Sequence, residues 1–446
     1  MKKWTLFFSI IISLFSFAQE GAKGTKPGSF TGGFGLSYID GAPNYAFRMQ
    51  PEFAFSNFGI GLDLNLEFEA SGKLRTENFN TASDYLAIIR YIRYGVKHDP
   101  VYAQIGAIDH YTLGHGSIMF QYNNSPSFDD RKIGALLDLN FDKWGVETIY
   151  ADFSQGSVMA ARGYFKPLQF TEINNIPIIS NLEVGASFAG DMHSKAGVDS
   201  GRINLPKNDF TVLRDNGAIN IYGFDIGFPL WKTSFTGAQL YLDYAKIANF
   251  GNGVSSGIIF NFNGMGLLSA SVKFERQWNS SKYLPSYFGS LYEIERFSAS
   301  LSGSSTDVKS KVKELGAITT AERGYFGSLG IDVLKLVNLY GSYSRLDNVA
   351  SSGTLTLQAE VAPKNLPFLA RAGYDKTNIA KESELFTLDD RSFLYAELGY
   401  KPYSYLLVSM IYQWTYTPIR DNNKNIIGFE TQKKVEPRVS IVIPFG

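Results

Sequence analysis

The feature that most constrains this chain is a strict alternation of apolar and polar residues over long stretches. In residues 59–70, GIGLDLNLEFEA, every second side chain from Ile60 to Ala70 is apolar, and the positions between them carry glycine, aspartate, asparagine and glutamate. Successive side chains of a β-strand point to opposite faces of the sheet, so this stretch predicts a strand with one apolar and one polar face. A helix would distribute the same residues around its whole surface.

The same alternation recurs along the rest of the chain. It is clear in residues 267–277, 353–363, 367–375 and 402–416, with similar segments near 45–55, 132–141, 180–189, 219–230 and 390–400. The clearest segments match the roughly 9–11 residues that a tilted strand needs to cross a membrane, whereas strands of soluble proteins average about 5–6 residues. The pattern therefore favours an all-β fold, a single large antiparallel transmembrane β-barrel, over a soluble jelly roll or propeller.

The first residues, MKKWTLFFSIIISLFSFAQE, have the form of an export signal. Two lysines precede an apolar run, and small residues stand at the −3 and −1 positions of a cleavage site before Gln19. The run is shorter than the ~20 apolar residues of a membrane helix. We predict a cleaved signal peptide at 1–18, a short periplasmic segment at 19–28 and the barrel at 29–446.

The composition supports an exported β-protein. Aromatic residues make up 15% of the chain and glycine contributes 43 residues, which suits strands, turns and membrane interfaces. The 42 basic and 42 acidic side chains give no basic excess that would indicate nucleic acid as a partner. Cysteine is absent, which excludes a disulfide framework and a lipid-anchor cysteine.

The connections between the alternating segments predict the topology. Short connections with turn-forming residues lie at 56–59, 97–100, 141–145, 229–233, 263–266, 334–338, 363–367 and 401–404. Long or flexible connections lie at 71–84, 109–131, 190–216, 278–320, 376–390 and 417–430. If the short connections are periplasmic, about 20 strands follow, within an even range of about 16–22, with both termini in the periplasm.

Two regions do not follow this scheme simply. The connection 167–179 is long, although its place in the order of strands puts it in the periplasm. The region 278–320 leaves two interpretations open, which are two further strands or a short helix at 308–316 that folds over or into the barrel.

The chain ends in VEPRVSIVIPFG, an alternating strand with the near-terminal aromatic Phe445. This ending resembles the C-terminal insertion signal of bacterial outer-membrane barrels, except that Gly446 is the last residue. With the signal and the alternation, the chain resembles outer-membrane porins and, more loosely, uncharacterised outer-membrane barrels of the Bacteroidetes type. The resemblance implies a Gram-negative outer-membrane location and passive diffusion of small hydrophilic solutes through the lumen, with selectivity set by charges at a constriction.

The resemblance to porins also implies which partners to expect. They are outer-membrane lipid, the barrel-assembly machinery during insertion and small solutes, with further copies of the chain as an open alternative and without nucleic acid. No catalytic residue, cofactor or metal is expected. The alternatives are a transporter for a specific or hydrophobic substrate, a component of a surface or secretion assembly and, more remotely, an outer-membrane hydrolase.

Charged residues on the polar faces of the strands are candidates for the lining of a water-filled lumen. A charge on the lipid face would cost about 2–4 kcal/mol near the midplane, whereas on a wet wall it costs little. The ordinary expectation for each residue is solvation and cross-strand pairing. The predicted pore-lining residues are Arg48, Glu52, Asp63, Glu67, Glu69, Lys273, Glu275, Arg371 and Asp375.

The stretch DHYTLGHG at 109–116 holds two of the 4 histidines. By resemblance to porins, in which the third outer loop narrows the barrel, we predict that 109–131 folds inward as a constriction loop, with glycines that permit positive φ. An exposed outer loop is the alternative. Two histidines without cysteine are too few ligands for a closed zinc site, and no nucleophile–base pair can be recognised. The candidate constriction residues are Asp109, His110, His115, Asp129, Asp130 and Arg131.

Histidine is the side chain that can change charge near neutral pH, so these candidates predict a conductance that depends on pH.

Overall fold

The structure is a computed structural model of the chain. It describes residues 29–77, 79, 82–176, 178–204, 209–299, 308–361 and 367–444. The predicted signal peptide at 1–18, the periplasmic segment at 19–28 and the near-terminal Phe445 lie outside the described residues.

Most of the described chain forms β-strands. In the first half these are β1 (Ser29–Ile39), β2 (Ala42–Phe55), β3 (Phe58–Leu62), β4 (Leu64–Glu69), β5 (Ile89–Tyr94), β6 (Val101–Gly106), β7 (Gly134–Asn140), β8 (Trp144–Tyr150), β9 (Val158–Phe165), β10 (Glu183–Asp191), β11 (Val198–Asn204) and β12 (Asp209–Asp215). In the second half they are β13 (Ile219–Lys232), β14 (Thr236–Ile247), β15 (Asn252–Asn263), β16 (Leu268–Asn279), β17 (Phe297–Ala299), β18 (Val308–Ser310), β19 (Glu322–Val333), β20 (Val337–Leu346), β21 (Gly353–Val361), β22 (Phe368–Ile379), β23 (Ser392–Tyr403), β24 (Leu406–Arg420) and β25 (Ile426–Pro444).

Antiparallel pairing closes these strands into a ring. Each wall strand pairs with the next along the chain, and β1 pairs with β25, which places Ser29 opposite Pro444. The described residues form a 21-stranded sheet, but β3 and β4 both pair with β2 and are separated only by Asp63. Counted as one, they give a closed barrel of 20 strands, as the sequence predicted.

The wall is apolar outside and polar inside. In β13, Tyr222, Phe224 and Ile226 are about half exposed, whereas Asp225 between them is buried. An apolar outer face suits contact with lipid, and a closed ring leaves no unpaired strand edge, as a membrane would require. The predicted fold class is therefore confirmed.

The wall is not of uniform height. Strands β5 to β9 contain only 6, 6, 7, 7 and 8 residues, whereas β13 to β16 contain 12–14 and β25 contains 19. At about 3.3 Å per residue, a six-residue strand is roughly 20 Å long before tilt, which is less than the ~25 Å apolar band of outer-membrane barrels. We call β5 to β9 the short wall.

Two of the long connections between wall strands fold into the interior of the barrel. Residues 107–133, between β6 and β7, form the inward loop, and residues 280–296, between β16 and β17, form the second inward segment. The Phe120 amide donates to the Phe288 carbonyl at 3.1 Å, which joins the two. The buried side chains that they contribute to the largest hydrophobic core are Ile108, Tyr111, Leu113, Ile118, Met119, Tyr122, Tyr283, Tyr287, Phe288 and Tyr292. The largest hydrophobic core therefore lies inside the barrel.

The second inward segment is followed by β17, β18 and a short helix. Both features considered for 278–320 occur there, a helix and a strand pair, but β17 and β18 pair with each other and not with the wall. Helix α3 (Lys311–Ala317) overlaps the predicted helix at 308–316. The 417–430 prediction was wrong, because β24 and β25 continue into it and leave only 421–425 as a turn.

Helical elements are few. They include α1 (Ala82–Leu86), α2 (Tyr292–Glu295), α3 and short 3-10 turns, three of which lie in the long connection between β9 and β10. No helix in the described part of the chain has the length and apolar character needed to cross a membrane.

Candidate functional site: a charged chamber inside the barrel

The inward loop is a folded element that is fixed to the wall. Tyr111 and Tyr122 exchange backbone hydrogen bonds of 2.9 and 2.8 Å, which makes the loop a narrow hairpin. The side chain of Asn124 accepts from the Ile108 amide at 3.0 Å and donates to the Ala151 carbonyl at 2.9 Å. Because the loop is tied at its base and across its width, it holds its position in the lumen.

The inward loop divides the lumen into two unlike halves. The packed half faces β6–β10, β13 and β14, where the side chains of Leu136, Ile149 and Ile221 contribute to the internal hydrophobic core. The chamber half faces β1, β2, β5 and β22–β25 and contains a cavity with about 1720 Å³ of empty space, part of it open to solvent.

The chamber is lined by an excess of cations. Its charged lining consists of six cations and four carboxylates, namely Arg48, Arg90, Arg131, Lys132, Arg371, Arg438, Asp63, Asp109, Asp375 and Glu397.

These cations are held by carboxylates of the wall and of the loop. Arg48 donates to Glu436 at 3.1 Å, and Arg438 donates to the same carboxylate at 2.7 Å. Arg371 lies between two acids, 3.4 Å from Glu360 and 3.7 Å from Glu397. The carboxylates keep the arginines inside the barrel, where an isolated charge would be costly.

The carboxylates do not use the full donor capacity of the arginines. Among the described residues, Nε of Arg48, Nε and Nη2 of Arg131, Nε and Nη2 of Arg371 and Nη2 of Arg438 are buried and have no hydrogen-bond acceptor. Leaving a buried donor unsatisfied costs about 1–3 kcal/mol. Four guanidinium groups around one cavity therefore carry buried donors that the protein itself leaves without a hydrogen bond.

The tip of the inward loop docks against the wall far from the chamber. Nδ1 of His115 lies 2.9 Å from Asp243 and 3.9 Å from Asp225, and its ring stacks on Tyr241 with centroids 4.3 Å apart. Gly114 has a φ of +54°, and an added Cβ would lie 2.8 Å from Cδ of Arg162. Only a glycine permits this approach without strain.

The cluster at the loop tip is the one group of potential metal ligands among the described residues, since ligand atoms of His115, Asp225 and Asp243 lie within 4.8 Å of one another. However, Arg162 binds both oxygens of Asp225, at 2.6 and 2.9 Å. The protein itself therefore supplies the counter-charge, and the cluster is an ion-pair network that fixes the loop tip.

A second buried network joins the two inward segments. Glu293 accepts hydrogen bonds from Tyr122 at 2.6 Å, from Arg296 at 2.7 Å and from Lys132. Arg296 also binds Asp191 of β10 at 2.5 Å. Burial opposes the ionisation of Glu293, but Arg296 and Lys132 outweigh it and lower its pKa to about 2. The packed half is thus held together by complete ion pairs.

The structure distributes the predicted pore-lining residues among several sites. Arg48, Asp63, Arg371 and Asp375 line the chamber. Glu67 lies beside it and contacts Arg48 at 3.9 Å.

The remaining predicted pore-lining residues lie elsewhere. Lys273 donates to the His115 carbonyl at 2.5 Å, and Glu275 accepts from Tyr241 at 2.6 Å, so both belong to the site of the loop tip. Glu52 accepts from Tyr91, and Glu69 is exposed at the end of β4.

The predicted constriction residues do not form one ring. Three of them line the chamber, namely Asp109, His110 and Arg131. Asp109 pairs with Arg90 at 2.9 Å, and Arg131 pairs with Asp63 at 3.4 Å.

The other constriction candidates have separate environments. Asp129 pairs with Arg75 at 2.6 Å, and Asp130 lies 3.7 Å from Lys132, where burial raises the pKa of Asp130. His110 contacts Gln358 of β21, whereas His115 contacts Asp243 of β14. The two histidines therefore serve different parts of the loop.

Sequence inspection missed Arg162 and Glu293, which fix the inward segments. A signal for the first was present, because Arg162 is the one charged residue of VMAARGYF in β9. Glu293 gave no signal, since its partners Tyr122 and Lys132 are 171 and 161 positions away.

No protein-family model matches the chain, and no curated protein sequence matches it. Solved structures with some likeness include the outer membrane protein OpdK of Pseudomonas aeruginosa, at 9% identity and a TM-score of 0.31, over 93% of this chain and 98% of that chain. OccK5 (OpdH) of Pseudomonas aeruginosa has 12% identity and a TM-score of 0.32, over 94% and 98%. OccAB2 of Acinetobacter baumannii has 9% identity and a TM-score of 0.31, over 94% and 98%. The closed ring of strands, and not this likeness, establishes the fold.

Proposed function

We propose that this protein is a porin-like channel of the Gram-negative outer membrane, through which small hydrophilic solutes diffuse passively. A closed barrel with an apolar outer face and a polar inner face suits this role. Export by a signal peptide at 1–18 and insertion by the barrel-assembly machinery belong to the same proposal. The similarity to Bacteroidetes-type barrels and the formation of a homo-oligomer stay predictions.

The observation that carries the proposal is the chamber. It is a cavity whose empty space of about 1720 Å³ includes open solvent, in the half of the lumen that the inward segments leave unfilled. Hydrophobic packing occupies the opposite half. The proposed route of a polar solute therefore runs along the arginines of the chamber.

The chamber favours anionic solutes. Six cations and four carboxylates line it, while Glu436 and Glu360 pair with arginines from behind the lining. Four of the arginines retain buried donors without an acceptor among the described residues. Guanidinium groups bind carboxylate and phosphate oxygens with paired hydrogen bonds. We infer a preference for anions over cations.

Recording from the purified protein in a planar lipid bilayer tests the channel. We expect stepwise conductance, and a reversal potential in a salt gradient that indicates anion preference. A bilayer that stays silent with folded protein contradicts the channel. Conductance with cation preference contradicts only the inference about anions, so the two parts are tested separately.

A further inference from the structure

The connection between β9 and β10 exposes an unusual number of apolar side chains. Turns are usually polar because they face water, and contiguous exposed apolar patches mark contacts with a protein or a membrane. Here the exposed fractions are 63% for Phe170, 43% for Ile173, 47% for Ile176, 43% for Ile178 and 42% for Ile179.

This connection is an ordered structure. It contains the 3-10 turns Pro167–Phe170, Glu172–Asn175 and Ile179–Asn181. Thr171 caps the second turn by accepting from the Ile173 amide at 3.3 Å, and Gln169 donates to Asn181 at 3.1 Å across the segment. These contacts fix the turns, and the five exposed apolar side chains form the apolar face of the connection.

The apolar face continues the outer surface of the short wall. Phe165, at the end of β9, lies opposite Trp144 of β8, and both are nearly half exposed. Phe141 contacts Trp144 with ring centroids 4.8 Å apart. Nζ of Lys143 lies 5.5 Å from the ring centroid of Phe170, which links this aromatic group to the connection.

The short wall has a physical need for such an extension. Its strands of 6–8 residues are roughly 20–26 Å long before tilt, and tilt reduces the height that they span. A barrel shorter than the bilayer pays a cost for each ångström of mismatch unless the membrane thins or other groups meet the lipid. An apolar element just beyond the strand ends reduces this mismatch.

We propose that residues 166–176 and 178–182 form a membrane-interface anchor that lies on the periplasmic leaflet against the short wall. Phe170 and the four isoleucines contact acyl chains near the head groups, as amphipathic interfacial segments do. Lys143 is exposed, and with Lys166 it supplies positive charge for lipid phosphates. Phospholipid is favoured over a protein partner because the patch is continuous with the lipid-facing wall and is built from aromatic and aliphatic side chains. This inference requires a barrel in a bilayer but not a conducting one.

The absence of cysteine allows a direct test with single spin labels. Ile176→Cys places a nitroxide on the apolar face, and Asn174→Cys, two residues earlier and also exposed, is the matched control. The proteins are reconstituted in vesicles of phosphatidylethanolamine and phosphatidylglycerol. We expect the label at 176 to be several-fold more accessible to oxygen than to a water-soluble nickel chelate, relative to the label at 174.

Equal access of both labels to the nickel chelate would overturn the proposal. So would a label at 176 that is wet in vesicles and becomes immobile only when periplasmic extract is added, because that result identifies a protein partner. Ile178→Cys gives a second position if the first variant does not fold, and heat-dependent gel mobility reports folding for each. The anchor and the channel fail independently, since the accessibility measurement does not depend on conductance.

Discussion

Both halves of the lumen contain buried cations and carboxylates, but the hydrogen bonding of these residues differs between the halves. In the packed half, Arg296 and Lys132 meet Glu293 and Asp191, and none of these four described residues leaves a buried atom unsatisfied. In the chamber half, Arg131 and other arginines meet fewer acceptors than their donors require. The hydrogen bonds of the buried charges are complete in the packed half and incomplete in the chamber half, and buried unsatisfied groups are exceptional in folded proteins.

The two halves are not strictly separate, either in their residues or in their hydrogen bonding. Lys132 lines the chamber and belongs to the network of the packed half. The Tyr287 hydroxyl and one oxygen of Asp138 are unsatisfied exceptions in the packed half. The chamber half therefore holds most of the unsatisfied arginine donors described above. Substitutions in the two halves should have different consequences.

The largest expected effect comes from breaking the packed half. Glu293→Ala leaves Arg296 and Lys132 buried without their shared carboxylate, and removal of one partner of a buried pair costs about 3–5 kcal/mol. We expect a large fall in thermal stability in detergent and an increase in conductance noise. Glu430→Ala, at an exposed strand position, should change stability by less than about 0.5 kcal/mol. Equal behaviour of the two variants would contradict the structural role.

A second test changes pH instead of sequence. The pKa of Glu293 is lowered to about 2 from an ordinary value of 4.5, so its ionised form is favoured in the folded protein. Its contribution to stability is complete above pH 4.5 and is lost as the pH falls toward 2. We expect the melting temperature of the wild type to fall over this window. Glu293→Gln should be less stable at neutral pH and show a smaller decline, and parallel curves would refute this.

The chamber half should respond in selectivity more than in stability. Arg371→Gln keeps a hydrogen-bonding side chain but removes a cation from the lining, so we expect a several-fold loss of anion preference in reversal-potential measurements. Arg214→Gln, whose side chain is 70% exposed in the β11–β12 hairpin, should leave selectivity unchanged. If both substitutions have the same effect, the chamber is not the route of ions.

The smallest effect concerns the loop tip that separates the halves. Gly114→Ala forces Cβ toward Arg162, with 2.8 Å to its Cδ, at a positive φ. Gly266→Ala also has a positive φ, of +80°, but its Cβ meets no atom within 4 Å. Since both share the backbone strain of about 1 kcal/mol, the excess loss of stability in Gly114→Ala measures the docking of the tip. No excess would mean that the tip is loosely held.

Most of the barrel wall could be predicted from the sequence, whereas the contacts inside the lumen could not. Alternation has a local cause, the pleat of a strand, so residues such as Ile60 and Asp63 identify a face without knowledge of any partner. The short strands β5 to β8 were less evident, because 6–7 residues hold too few repeats of the pattern. Thr417–Arg420 was placed in a loop, although it continues β24.

The inward network could not be found in the same way. The Tyr122–Glu293 and Arg162–Asp225 contacts join segments that are 171 and 63 positions apart. Neither pair has a spacing that distinguishes it from any other tyrosine, arginine or acid in the chain. Only the closed wall decides which loop residues meet, so the chamber and its arginines emerge from the folded structure.

Because β1 pairs with β25, the barrel cannot close until the last strand is present. Ser29 and Pro444 are partners in the strand pairing although they lie at opposite ends of the described chain. Until the last strand arrives, both edges of a curved sheet of this size offer unpaired backbone groups to other chains, and such distant contacts form slowly. Loss of β25 to a late stop codon would therefore abolish assembly entirely, and the shortened chain would be a substrate for aggregation and proteolysis.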